Sequence, residues 1–231
     1  GVYGTALRNA GTIEATRVEV GEGGSIYLRA ALDATLASGG RIAASGTSGG
    51  RVAVEAGETL RVDGTVEARG SAARGGEVEL LGARVGVLEG AHVDASGATG
   101  GGSILAGGDY QGANPAVRNA TAAYVGAGAT LRADALEAGH GGRIVVWADD
   151  ATRYAGHASA RGGAAGGDGG LIEVSGRNFL AFAGTADTRA PRGSTGLLLL
   201  DPSNVNITTT ADAFAGGAFA GGQFGGAAGT A

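Results

Sequence analysis

The most regular feature of the chain is a glycine pair followed by one variable residue and then a branched apolar residue. In the first four complete copies of this motif the branched residues lie 26 residues apart. Intervals of 40 and 28 residues follow, and a last interval of 26 ends at a leucine. These ladder positions are Ile26, Val52, Val78, Ile104, Ile144, Ile172 and Leu198. A spacing this constant indicates a repeated structural unit.

Within one unit, apolar and polar residues alternate over three short stretches. In residues 49–74 the stretches are 51–54, 59–62 and 64–68, and glycine, aspartate or serine lies between them. Alternation with a period of two predicts strands, with Val52 and Val54 facing one side and Arg51 the other. We expect the intervening glycines to lie in tight turns that need a positive φ.

Three short strands in about 26 residues predict an all-β fold, a right-handed parallel β-helix (solenoid) with one unit per coil. A single coil cannot bury its inward residues, and stacking coils about 4.8 Å apart pairs the backbone of each coil with the next. The ladder positions would then form an inward column of like residues. A β-sandwich with glycine-rich turns is the alternative, although a sandwich gives no reason for a 26-residue register.

Composition narrows the function classes. Glycine accounts for 49 of 231 residues and aromatic residues for only 5%, which is too little bulk for the core of an ordinary globular enzyme. A net charge of −5 argues against nucleic acid and anionic membranes as partners. No apolar run is long enough for membrane insertion. The chain has no cysteine, and it lacks a signal peptide and an initiator methionine, so we expect Gly1 to begin a processed or excised piece.

Two segments depart from the repeat. The β-helical shaft is predicted over residues 1–207, with an inserted loop at 107–125 that is either a binding loop or an elbow packed on the side of the rod. Its candidate ligand-binding residues are Tyr110, Gln111 and Asn114. Residues 208–231 form a tail rich in glycine, alanine and phenylalanine, which we interpret as a linker or the start of a further coil.

Trp147 and Tyr154 complete the candidate ligand-binding set. They are either an exposed platform for stacking carbohydrate or packing beneath the last coils. Alternation places Trp147 on the face opposite Ile144, which favours exposure of its ring.

The titratable residues do not indicate catalysis. A polysaccharide lyase or hydrolase needs clustered carboxylates on one face, whereas the acidic residues here are dispersed, and Asp149-Asp150 is typical of a turn. The histidines are not spaced for a zinc site. The three histidines are His92, His140 and His157. We therefore predict no enzyme activity, no metal and no cofactor.

Residues 100–207 resemble the filamentous-haemagglutinin-like exoproteins of the two-partner secretion family. The resemblance is carried, in the expected order, by the loop GDYQG at 108–112, GGRIVVWA at 141–148, GGLIEVSG at 169–176 and LLLDPSNV at 198–205. The Asn-Pro-Asn motifs of that family's secretion domain are not found, since Asn114-Pro115-Ala116 belongs to the loop. We therefore expect a segment downstream of the secretion domain.

This resemblance implies a shaft segment of an adhesin, a biofilm factor or a toxin-presenting stick. It also implies export through an outer-membrane transporter partner and a location at the surface of, or released from, a Gram-negative bacterium. Surface glycans or proteins of host or bacterium would be partners, and open β-helix ends would allow end-to-end self-association. The alternatives are a carbohydrate-binding β-helix module or a self-stacking extracellular fibre subunit, and more remotely a polysaccharide lyase or hydrolase.

Overall fold

The computed structural model describes residues 1–15 and 24–203, together with the short segments 219–220 and 223–224. The first four coils each contribute three strands, which are β1 (Val2–Gly4), β2 (Leu7–Asn9), β3 (Thr12–Glu14), β4 (Ser25–Ala30), β5 (Ala34–Leu36), β6 (Arg41–Ala43), β7 (Arg51–Ala56), β8 (Thr59–Val62), β9 (Thr65–Glu67), β10 (Glu77–Leu81), β11 (Arg84–Val87) and β12 (His92–Asp94).

Three further coils and the first strand of an eighth follow. Their strands are β13 (Ser103–Ala106), β14 (Ala122–Val125), β15 (Thr130–Arg132), β16 (Arg143–Ala148), β17 (Ala151–Tyr154), β18 (His157–Ser159), β19 (Leu171–Gly176), β20 (Phe179–Phe182), β21 (Thr185–Asp187) and β22 (Leu197–Leu199). A separate antiparallel pair joins β23 (Phe219–Ala220) to β24 (Gln223–Phe224). The rest of the predicted tail lies outside the described residues.

Each strand of a coil pairs in parallel with the equivalent strand of the next coil, three strands further along the chain. The shaft therefore has three sheets. The first contains β1, β4, β7, β10, β13, β16, β19 and β22, the second runs from β2 to β20, and the third from β3 to β21. This confirms the all-β parallel β-helix. The repeat of about 26 residues could be predicted from the sequence because each coil repeats the same three strands.

The interior consists of columns of stacked side chains. In the first sheet the register joins the ladder positions one to the next, from Ile26 to Leu198. Those from Ile26 to Ile172 are buried, whereas Leu198 on the terminal edge strand is 38% exposed. Near the end of the second sheet Tyr154 stacks on Phe182, with ring centroids 5.1 Å apart. Burial of this apolar surface is the main source of stability in such a fold.

The repeated glycine pairs stack directly on one another. None of the described members of these pairs has a positive φ, which is found instead at turn glycines such as Gly39 and Gly139. The paired residues are small because the coils approach closely: a Cβ built on Gly142 would lie 2.1 Å from the carbonyl oxygen of Gly102. This glycine column comprises Gly50, Gly76, Gly102, Gly142, Gly170 and Gly196.

The dispersed charges pair between neighbouring coils. Arg84 lies 3.3 Å from Glu58, and Arg69 lies 3.4 Å from Asp94. Such exposed pairs contribute little stability individually. They explain part of the spacing of the acidic residues, because several carboxylates lie beside an arginine of the adjacent coil.

Candidate functional site

The inserted loop folds down over the outer face of the first sheet. Strand β14 takes up residues 122–125, so the loop itself is residues 107–121. It contains a short 3₁₀ turn at Tyr110–Gly112. Beneath it, Leu105, Val145 and Trp147 form an outward-facing apolar cluster that Val117 of the loop covers.

Trp147 is the centre of this cluster and is only 3% exposed. A Cβ on Gly112 would lie 2.5 Å from its Nε1, and a Cβ on Gly108 would lie 2.7 Å from its Cδ1. The two glycines therefore allow the loop backbone to lie against the indole. Trp147 Nε1 donates to Asp149 Oδ1 at 3.2 Å, so the polar end of the ring is satisfied as well.

Of the two interpretations of Trp147 and Tyr154, packing describes both rings and an exposed platform describes neither. Trp147 does point outward, as the alternation predicts, but the loop buries it. Tyr154 points inward and is fully buried, and its hydroxyl donates to the carbonyl oxygen of Thr185 at 3.2 Å. Burial raises the pKa of this phenol well above its usual range. Neither ring presents a face to a ligand.

Asp109 organises the beginning of the loop. Its carboxylate accepts from the Tyr110 amide at 2.7 Å and from Asn114 Nδ2 at 2.8 Å, and it lies 3.0 Å from Arg143 Nη1. Burial acts to raise the pKa of this carboxyl, but the donors from Asn114 and Tyr110 and the charge of Arg143 outweigh it and lower the pKa. The side chain of Asn114 thus serves the loop's own structure.

Gln111 connects the loop to a carboxylate that the sequence did not single out. Its φ is +54°, and its backbone amide donates to Glu173 Oε1 and Oε2 at 3.2 and 3.1 Å. Glu173 is fully buried beneath the loop and also accepts from Ser175 Oγ at 3.0 Å. Burial raises its pKa despite these two donors, and the nearby charges of Asp201 and Asp109 act in the same direction.

The loop has two further attachments along the rod. Asn119 Nδ2 donates to the Gly112 carbonyl oxygen at 3.0 Å and to Asp149 Oδ1 at 3.2 Å. Arg118 Nη1 reaches the carbonyl oxygen of Ala56, two coils back, at 3.2 Å. Of the predicted ligand-binding residues, Tyr110 and Gln111 are exposed, whereas Asn114 is half-buried and Trp147 and Tyr154 are buried. The Asp109 carboxylate, the Gln111 amide and the Arg118 and Asn119 side chains thus hold the loop closed.

Among the described residues, no group of three or more histidine, cysteine, aspartate or glutamate side chains is placed to hold a metal ion. His92 and His157 each contact a threonine hydroxyl at 2.8 Å on the third sheet. Across the described ranges, no helix reaches the length and hydrophobicity of a membrane span.

Comparison with known proteins agrees with the sequence resemblance. No family model and no curated protein matches the chain. Among solved structures it is similar to the HMW1 secretion domain from Haemophilus influenzae, with a TM-score of 0.65 and 26% sequence identity. The match covers 85% of this chain and 49% of that one, so the chain spans about half the length of its relative. The likeness confirms the resemblance to β-helical exoproteins of the two-partner secretion type.

The relative is itself a secretion domain, whereas we expected a segment downstream of one. Its place in the parent protein stays a prediction.

Proposed function

We propose that this chain is a structural shaft segment of a bacterial adhesin that is secreted or displayed at the cell surface and has no catalytic role. The observation that carries the proposal is the unbroken pairing of the first sheet across all seven described coils into the eighth. A rod of stacked coils holds distant parts of a molecule at a fixed separation, which suits presentation of a binding or toxic tip.

The loop supports the same role. Active-site loops often carry exposed polar groups, whereas this loop is attached at Gln111, Arg118 and Asn119 and covers an apolar cluster. Such a loop reinforces the rod. The absence of a metal-binding cluster among the described residues is compatible with this role, and the likeness to a secretion domain favours a secreted rod over a β-helical enzyme.

Export through an outer-membrane transporter is the partner interaction that the similarity favours. Contacts with surface glycans or proteins, biofilm formation and end-to-end association are further proposals. Self-association is favoured by the edge strand β22, where Leu197 is 56% exposed.

The test is an immunoblot of outer-membrane, supernatant and cytosolic fractions of the source bacterium with an antibody to residues 24–203. We expect the signal at the surface or in the medium, on a polypeptide far larger than 22.1 kDa. Deleting the candidate transporter should remove the surface signal while a transporter-independent secreted protein is unaffected. A cytosolic protein in the parent strain would refute the proposal.

A further inference from the structure

A polar groove runs along the rod beside the glycine column. It has a volume of about 770 Å³ and is bordered on one side by Asn114 and Val117 of the loop. Its lining extends from Arg51 in the third coil to Leu171 in the seventh, which is four coil spacings, or about 19 Å. A groove of this volume is large enough for a ligand of several rings.

The floor of the groove is glycine backbone whose hydrogen bonds are already made. The amides of Gly76, Gly102 and Gly142 donate to carbonyl oxygens of their own coils at 2.7–2.8 Å. Their carbonyl oxygens accept from amides of the next coil at 2.9–3.0 Å. An extended peptide binds a sheet through free backbone groups. The backbone groups of these three glycines are already paired, so we assign recognition here to the wall side chains.

The walls carry guanidinium and carboxylate groups in equal number. Arg51 lies 2.7 Å from Glu79 and 3.4 Å from Glu77, and Arg143 lies 3.0 Å from Asp109. Arg74 is exposed and donates to the carbonyl oxygen of Gly101 at 3.3 Å. The formal charges of these three arginines and three carboxylates cancel, which gives a polyanion no net attraction.

A hydroxyl group can donate to a carboxylate and accept from a guanidinium at the same time. We propose that this groove binds a neutral oligosaccharide, several sugar residues long, lying along the rod axis. Arg74 and Glu77 at its open side would contact the hydroxyls. The site differs from the exposed aromatic platform that was one of two interpretations of Trp147, and the proposal stands independently of the shaft role.

The test uses the purified chain and a panel of neutral hexose and N-acetylhexosamine oligosaccharides, with sulfated heparin oligosaccharides for comparison. Binding is measured by isothermal titration calorimetry. We expect at least one neutral oligosaccharide to bind, and we expect Arg74→Ala and Glu77→Ala each to weaken it about tenfold, the usual effect of losing one hydrogen bond to a charged group.

Arg29→Ala is the matched control. Arg29 lies on the same sheet with its side chain 64% exposed, it pairs with Glu55 at 3.4 Å, and it is not part of the groove lining. This variant should bind within twofold of wild type, and circular dichroism should show all three variants folded.

Three outcomes would overturn the proposal. One is no binding of any neutral oligosaccharide at millimolar concentration, and another is binding unchanged by both groove variants. The third is binding of sulfated oligosaccharides alone, weakened by Arg74→Ala but not by Glu77→Ala, which would indicate a polyanion site. None of these results bears on surface localisation, so the two proposals fail separately.

Discussion

The backbone amide of Gln111 donates to both carboxylate oxygens of Glu173, a residue 62 positions further along the chain. This contact joins the loop of the fifth coil to the first strand of the seventh. It also buries a carboxylate beneath the loop, next to Val145 of the apolar cluster, which is the register partner of Glu173 in the neighbouring coil. The closure of the loop should therefore depend on the charge of Glu173.

Glu173→Gln should change how the free energy of unfolding depends on pH. Burial raises the pKa of the Glu173 carboxyl above its ordinary value of 4.5 in the folded protein. The folded chain therefore takes up this proton at a higher pH than the unfolded chain, and wild type should gain stability relative to the variant as pH falls from neutral toward 4.5. Urea unfolding at several pH values measures this. A stability difference that stays constant over that range would contradict it.

Asp109→Asn should show the opposite dependence on pH. Hydrogen bonds and Arg143 lower the pKa of Asp109 in the fold, so its stabilising contribution is present above its ordinary value of 3.8 and is lost below it. Near neutral pH the variant should lose about 1.5–3 kcal/mol, as for other hydrogen bonds to charged groups. The gap should narrow as pH falls below 3.8. A gap that widens there would refute the assignment.

Trp147→Ala should release the loop. Removing a buried indole costs about 3–5 kcal/mol, and the cover over Leu105 and Val145 would lose its main contact. We expect rapid proteolysis within residues 107–121 of the variant. Tyr110→Ala is the matched control, because its ring is 37% exposed, and its effect should stay within about 0.5 kcal/mol. Equal protease resistance of wild type and Trp147→Ala would argue against a packed loop.

The sole tryptophan of the chain also reports on the loop directly. In wild type its fluorescence should be that of a buried indole and poorly quenched by acrylamide. Gly112→Ala, which directs a Cβ to within 2.5 Å of the ring, should increase quenching. Quenching no greater than in wild type would mean that the loop tolerates the added methyl group without opening.

Gly142→Ala tests whether glycine is needed at this position for the close approach of two coils or for its backbone conformation. The added Cβ would lie 2.1 Å from the Gly102 carbonyl oxygen, so the coils must move apart, at about 3 kcal/mol or more. Gly39 is the control, since its φ is +77° and nothing lies within 4 Å of a Cβ there. Gly39→Ala should cost about 1–2 kcal/mol. Thermal unfolding distinguishes the two, and the reverse order would refute the close-approach explanation.

The fold could be predicted because the apolar positions that define it repeat at a constant interval along the sequence. A coil of three strands repeats its inward positions at a constant interval, so Ile26, Val52 and Val78 identify both the strand and its partner in the next coil. The role of the glycine pairs could not be predicted, because close backbone contact and a positive φ both select glycine. The stacking of the coils distinguishes these two reasons, since the paired glycines lack a positive φ and contact the next coil closely.

The environment of the candidate site depends on contacts that the local pattern does not contain. Alternation placed Trp147 on the outward face correctly, but its burial comes from a loop some 30 residues earlier in the chain. Glu173 occupies an ordinary outward polar position in its strand, and nothing in the adjacent residues indicates a cover. Polar residues at outward positions of the coils beside an insertion are a signal that would have found it.

The loop attachments have a mechanical consequence for a rod under load. Pulling along the axis strains the hydrogen bonds between coils, and a plain β-helix would come apart from its end, one coil at a time. Here Arg118 holds the third coil and Gln111 the seventh, so the loop acts as a tether parallel to the direction of force. The third to seventh coils should therefore resist the force jointly. They should unfold cooperatively, in one step with a single large extension.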